Sequence, residues 1–407
     1  MRGGEGVRSR AVAVGAVLAA VFAAAGCGAD TEPRGDRPTG GAHSSPGSQN
    51  AALTWEFAHI ADFSGRFTDV AALAEDDVWA VATENDGGTG PFLMHYDGAR
   101  WTRESLPDAI GPSDAPPALD EIGDDTLWLR PKPTGRSSGA QGWARWDGTR
   151  WSAVPSPPAG TVGDLEAAGP DDIWALTGER TAAHWNGDRW TTTRLPYEAA
   201  DLAVVGPDDA WAVGRRSTGP GTEGSGGLPY DQPASMHWDG TSWRAVDTPV
   251  SRFDDPVPPE ASASLGKVFV LDGGEVRAYG ENTFDHGETD DEPEDKYIRL
   301  RWTGSAWVAQ DPAPGGCERR VPLAQDAKGL FLDGNRYLTD TGRCVTIQRP
   351  RLPRSTGARS SSNQSLWLSE IHRVPGTGSW LGAGHVQVNQ SGAPFDAPVV
   401  VRLERSA

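Results

Sequence analysis

A chain of 407 residues with 17 tryptophans, 51 glycines and a formal charge of −19 is long enough for two average domains or one large repeat domain. The acidic balance argues against a nucleic-acid partner, which needs a basic footprint to displace counterions from phosphate. It argues equally against adhesion to anionic lipid through a basic face.

The chain opens with Arg2, Arg8 and Arg10, then an apolar run from Ala11 to Ala25, then Gly26 and Cys27. A run this short, ending in small residues, reads as a secretory signal over residues 1–26 rather than a spanning helix. The "AAGC" that closes it resembles the lipobox of bacterial lipoproteins, and that resemblance implies that Cys27 is acylated and becomes the mature first residue. Ala24 stands where leucine is commonest, and plain secretion with an unmodified Cys27 is the alternative. Residues 27–50 are rich in Gly, Pro, Ser and Asp with no apolar period, so a disordered tether is expected there.

From residue 51 onward the sequence repeats itself. "HYDGARW" at 95, "RWDGTRW" at 145, "HWNGDRW" at 184, "HWDGTSW" at 237 and "RWTGSAW" at 301 are five copies of one unit. Most copies follow, by some 20 to 30 residues, a second shared phrase: "DDVWAV" at 76, "DDTLWL" at 124, "DDIWAL" at 171 and "DDAWAV" at 208. The apolar runs are four to seven residues long, β-branched or aromatic, and bounded by Gly, Pro or Asp, which is the strand signature. Four strands make one unit.

A fifth, sixth and seventh unit are decayed, and the seventh shows only three strands before the chain ends at residue 407. The missing strand is at the other end, where "LTWEFA" at 53 carries Trp55 as outer strands elsewhere carry Trp101 or Trp243. The expectation is an all-β, seven-bladed β-propeller over residues 51–407, its last blade closed by the N-terminal strand, with radial repetition protecting the edges. Tryptophans fit this frame: 79, 128, 174, 211 and 380 in second strands, 146, 185, 238 and 302 before the turn, and 55, 101, 151, 190, 243 and 307 in outer strands. Only Trp143 and Trp367 fall outside it. Framed tryptophans are expected to pack between blades.

The Asp-Gly turn is similar to the Asp-box of sialidase-like propellers, with its spacing shortened. The whole pattern resembles the D-x-W-A-V-G repeats of secreted or lipid-anchored propellers of actinobacteria, which implies a fold and a compartment and no reaction. In the sixth unit Cys344 stands where other units place the outer-strand tryptophan. With Cys27 committed to lipid, Cys317 and Cys344 are an even pair in an exported chain, and a disulfide is the default.

Function is expected on the second-to-third and fourth-to-first connections, which hold the long irregular loops, whereas the first-to-second and third-to-fourth turns share a short, regular face. Trp143, where a long loop enters the third strand of unit 2, is the ligand-binding candidate, with added packing as its plainer role. "DHGETDDEPEDK" at 285 offers Asp285, Glu288, Asp290 and Asp291 as oxygen ligands for Ca²⁺, although without EF-hand spacing, and no other cofactor is expected. The repeated Asp pairs read as turn caps, and His95, His184 and His237 share one position with Arg145 and Arg301, which points to a packing job. No nucleophile elbow, phosphate loop or H-E-x-x-H is present.

The expected function is therefore a binding or scaffolding module for an extracellular glycan or protein, anchored by lipid outside the cell membrane and monomeric. The alternative is a hydrolase or lyase acting on extracellular polysaccharide, because fold does not settle function.

Overall fold

The repeated apolar runs pair as antiparallel strands in seven four-stranded sheets, arranged as a seven-bladed β-propeller. The computed structural model describes residues 53–404 except 86–89, 112–114, 124, 133–141, 159–161, 218–229, 272–273, 288–291 and 319–320. Cys27, the signal segment and the tether lie outside the described residues. Blades 1 to 6 each use four consecutive strands from inside to outside, beginning with inner strands Gly65–Ala74, Ala118–Glu121, Leu165–Gly169, Glu198–Gly206, Ser262–Val270 and Ala324–Asp326. Blade 7 has Asn363–Arg373, Ser379–Asn389 and Phe395–Glu404, and its outermost strand is the N-terminal Glu56–Ile60.

Tryptophan triads fill the gaps between blades. Trp79 of blade 1 lies 4.7 Å from Trp146 and 5.3 Å from Trp151 of blade 2, centroid to centroid. Trp174 meets Trp238 and Trp243 at 5.0 and 5.2 Å, and Trp211 meets Trp302 and Trp307 at 5.0 and 5.5 Å. The outer-strand ring is met almost edge to face, at 87°, 88° and 83°, the arrangement that a ring quadrupole favours.

The shared histidines belong to the same wedges. His95, His184 and His237 lie over Trp79, Trp174 and Trp211, with centroids 3.9, 4.3 and 4.4 Å apart. Their Nε2 atoms sit 2.9, 2.7 and 2.8 Å from the second Asp of each pair, Asp77, Asp172 and Asp209. In blade 2, Thr126 takes the register of that Asp and Arg145 takes that of the histidine, so partner and ring are lost together.

Blade 7 carries Trp380 in its second strand as expected, but one residue out of register with the other blades. The bulge at Ser369 sets Glu370 opposite Ala383, as the bulge at Thr68 sets Asp69 opposite Val81. Counting from there, Leu381 matches Trp79, and Trp380 is one residue out of step. A one-residue slip reverses the face of a side chain. Trp380 accordingly points back at blade 6, 4.9 Å from Phe331.

The Asp-Gly turn is a four-residue turn in which only the glycine takes positive φ, +85° at Gly98 and +81° at Gly240. The Asp contributes its side chain: Asp239 Oδ1 accepts the amides of Thr241 and Ser242 at 3.0 and 2.9 Å, and Asp97 and Asp147 do likewise. The amide hydrogen bonds hold Asp97 and Asp239 below the usual carboxyl range, and at Asp147 the Thr149 hydroxyl, 2.7 Å away, leads with the amides adding to it.

The glycine that ends "WAVG" has a separate cause. A Cβ at Gly214 would stand 2.1 Å from Glu198 O, and at Gly384 1.9 Å from Trp367 O. Both carbonyls lie on an inner strand that bulges two residues further on, at Ala200 and Ser369. The glycine therefore records a bulge in the neighbouring strand.

Cys317 and Cys344 form a disulfide. It sits in the gap between blades 5 and 6 with Tyr279, Leu330 and Leu338, a gap without tryptophan. Closing a loop of this length contributes about 3.5 kcal/mol in the chain-entropy model. The covalent bond stands where aromatic packing is missing.

Candidate functional site: an acidic cavity in the central channel

Inner strands of a propeller leave one edge unpaired toward the axis, so their amides need acceptors. Here carboxylates of the preceding blade supply them. Asp69 Oδ2 accepts Leu119 N at 3.3 Å, Asp164 Oδ2 accepts Leu202 N at 2.8 Å, and Asp201 Oδ2 accepts Val268 N at 2.7 Å. Asp69 and Asp201 directly follow a bulge, as do Lys267 of blade 5 and Glu370 of blade 7, which gives one polar ring around the axis.

Two residues further along the inner strands, Asp120 and Glu166 stand opposite Trp128 and Trp174 and form a second level. Together the levels line a cavity of about 720 Å³ with seven carboxylates, three cations and His372. Each cation is engaged: Arg130 forks onto Asp120 at 2.8 and 3.2 Å, Lys132 lies 3.1 Å from Asp69, and Lys267 lies 2.6 Å from Asp201. His372 reaches Glu121 at 2.7 Å across blade 1, whose Ala71 occupies that level. Among the described residues, Asp164, Glu166 and Glu370 form no ion pair.

Crowding of like charge and burial act in one direction on these groups. Burial pushes Glu370 up to about 8, with Asp69 adding to the effect and Lys267 opposing it. Burial pushes Asp201 up to about 7, Asp164 adding and Lys267 opposing. Glu166 lies well above the ordinary range, from burial and then from Asp164 and Asp201, although its side chain still reaches the channel solvent. Burial also raises Asp120 against the opposing pull of Arg130. Burial and like charge thus favour the protonated forms of these carboxyls, and a cationic guest would oppose that preference.

The cavity wall runs from the ring toward the first-to-second turns: Ala118 to Glu121 and then Gly123 in blade 2, Asp201 to Val204 in blade 4, Lys267 to Val270 in blade 5. This is the regular face of the propeller. The sequence pattern directs attention to the opposite, loop-bearing face, because loop length is visible in one dimension and convergence of inner strands is not.

Trp143 does not offer a binding surface. Its ring is 3% exposed and meets Trp128 and Trp190 nearly edge-on, with centroids 5.8 Å away in both cases. It is a fourth indole in the wedge between blades 2 and 3. Of the proposed Ca²⁺ ligands, Glu288, Asp290 and Asp291 lie outside the described residues. Asp285 is present, with its amide donating to Pro259 O at 3.3 Å. In the same segment His286 Nδ1 and Nε2 lie 3.2 and 3.0 Å from Glu292 and Asp295.

No protein-family profile matches the sequence, and no characterised protein matches it. Solved structures with a similar course of chain include one described as "YCF48 bound to D1 peptide" (14% identity, 86% of this chain and 97% of that one, TM-score 0.46). Others are a Mycobacterium tuberculosis puromycin-hydrolyzing peptidase (13%, 81% and 52%, 0.45) and the six-bladed, fucose-recognising lectin of Aleuria aurantia (10%, 83% and 95%, 0.35). At such identities the likeness is one of fold.

Proposed function

We propose that the chain is a lipid-anchored propeller outside the cytoplasmic membrane that acts as a binding module, admitting a cationic group of an extracellular protein or glycan to the channel cavity. The observation that carries this reading is the surplus of carboxylates over cations in a cavity of about 720 Å³. An ammonium or guanidinium group entering there gains charge-assisted hydrogen bonds from Asp164, Glu166 and Glu370. Ring aspartates already committed to neighbouring amides favour binding over acid–base turnover, although Glu370 and Glu166, both held toward the protonated form, are suited to a polysaccharide hydrolase or lyase.

The test is calorimetric titration of the domain at low salt with a lysine-rich peptide, an arginine-rich peptide and a chitosan trimer, each against its N-acetylated or citrulline counterpart. The parent should bind at least one charged probe and not its neutral counterpart, and the Glu166→Gln, Glu370→Gln double variant should bind about tenfold or more weakly. Equal binding of charged and neutral probes, or of parent and variant, would overturn the reading. A probe consumed rather than bound would favour the enzyme. Separately, Cys27→Ser is expected to move the protein from the membrane fraction to the medium, and unchanged fractionation would remove the lipid anchor from the proposal.

A further inference from the structure

Blade 7 is taller than its neighbours on the loop-bearing side. From the bulge its inner strand runs back six residues to Asn363, against three residues to Gly65 in blade 1, and its second strand is extended to match. At roughly 3.3 Å per residue, this inner strand extends about 10 Å beyond that of blade 1. One of its faces is apolar and packed, with Leu366, Val386, Val388 and Ala397 in a cluster that includes blade 6 residues.

The other face, toward blade 1, is different. Cross-strand pairs share a face, so Ser365, Gln387 and Asp396 form one row and Trp367 and His385 begin the next. Trp367 is 57% exposed, whereas every tryptophan of the inter-blade frame is at least partly buried. Asp396 Oδ2 is fixed by Asn85 Nδ2 of blade 1 at 3.4 Å, and Arg66 of the blade 1 inner strand is exposed beside them.

We propose that this face is a carbohydrate-binding platform, on which a neutral sugar ring stacks against Trp367 while Ser365, Gln387 and Asp396 take its hydroxyls. An indole presents a flat apolar surface that matches the C–H face of a pyranose. A hydroxyl both donates and accepts, and a carboxylate, an amide and a serine in one row satisfy both roles. The side chains are set on strands rather than loops, so their spacing is fixed before a ligand arrives.

Neutral sugar is favoured by the charges present. Arg66 and Asp396 offset each other, and His385, whose pKa is lowered by burial and by Arg66 against Asp396, adds none at pH 7. A protein partner is disfavoured because a protein interface surrounds its aromatic anchor with further apolar surface. The other large hydrophobic side chains that are exposed among the described residues, Val205, Val250, Val257 and Val308, belong to blades 4 and 5 and the segment joining them. Trp367 stands alone on its face.

The site lies at the opposite end of the inner strands from the acidic cavity, and its test uses uncharged ligands, so failure of the cationic-ligand reading leaves it untouched. Cellohexaose, maltohexaose and an α-1,6-linked mannohexaose are titrated into the folded domain by calorimetry. At least one should bind with Kd of about 1 mM or tighter. Trp367→Ala should weaken that binding about tenfold and Trp367→Phe by no more than about threefold, as stacking is lost or retained. Because the side chain is exposed, the melting temperature of either variant should equal that of the parent, which separates lost contact from lost fold. Absence of binding by all three sugars at about 10 mM overturns the proposal. So does unchanged affinity in Trp367→Ala, including the case in which that variant loses a protein ligand instead.

Discussion

Replacing Trp55 by alanine is expected to cost about 4 kcal/mol of folding stability, the largest single effect of any outer-strand tryptophan in the ring. The ring is fully buried. Its Nε1 donates to Gly334 O of blade 6 at 2.9 Å, and its face lies 6.1 Å from Phe331. The backbone on either side exchanges hydrogen bonds with Gln348, Trp55 N to Gln348 O at 2.8 Å and Gln348 N to Leu53 O at 2.7 Å. Residues 53–60 thus join blade 6 to the sheet that also contains the C-terminal strand, so the two ends of the chain close one circle. Trp101, in the equivalent outer strand of blade 1, is only half-buried and should cost roughly half as much on the same change. Urea denaturation followed by far-UV circular dichroism measures both. A loss below about 1 kcal/mol for Trp55→Ala would mean that the ring does not depend on this closure.

Most of the ring is legible in the sequence because the repeat displays it directly. Asp-Gly marks three of the outer turns and Asn-Gly a fourth, the second-strand tryptophan marks the gap, and Cys344 stands where its unit lacks an indole. Blade 7 is misaligned by one residue because "SWLGAG" satisfies the tryptophan pattern, whereas the bulge at Ser369 sets the register. The cavity is legible only in hindsight. Asp69, Asp201 and Glu370 occupy a position defined by bulges; for Asp201 and Glu370 the available signal is the glycine of "WAVG" and "LGAG", which reports a bulge in the adjacent strand, whereas blade 1 has Ala82 there and gives Asp69 no such mark. Asp164 and Glu166 carry no such mark. Trp143 and Trp367 look alike as unframed tryptophans, yet one fills a gap and the other faces solvent, because the first enters a third strand between blades and the second lies on an inner strand that outgrows them.

Stability should fall as pH rises from about 5 to 8.5. Glu370 at about 8 and Asp201 at about 7 both lie above the values of unfolded carboxyls. Between pH 4 and 8 the folded chain therefore holds more protons than the unfolded one, and the derivative of unfolding free energy with pH is negative. The stabilisation is complete below the unfolded carboxyl range and disappears as pH passes through 7 and then 8. Below pH 4 the sign reverses, because Asp97 and Asp239 are held low by turn amides and Asp147 by the Thr149 hydroxyl and then by amides, and all three lose those bonds' preference on protonation. Melting temperature should thus pass through a maximum near pH 5. Glu370→Gln, which is neutral at every pH, should stabilise the protein at pH 8.5 and flatten the alkaline limb. A cationic ligand inverts the dependence for binding: it favours the ionised cavity, so affinity should rise about tenfold between pH 6 and 8.5 with release of protons. Calorimetry in two buffers of different ionisation enthalpy counts those protons. A pH-independent melting temperature, or binding that weakens toward pH 8.5, would show that these carboxyls ionise as ordinary surface groups and that the cavity carries its full negative charge without a guest.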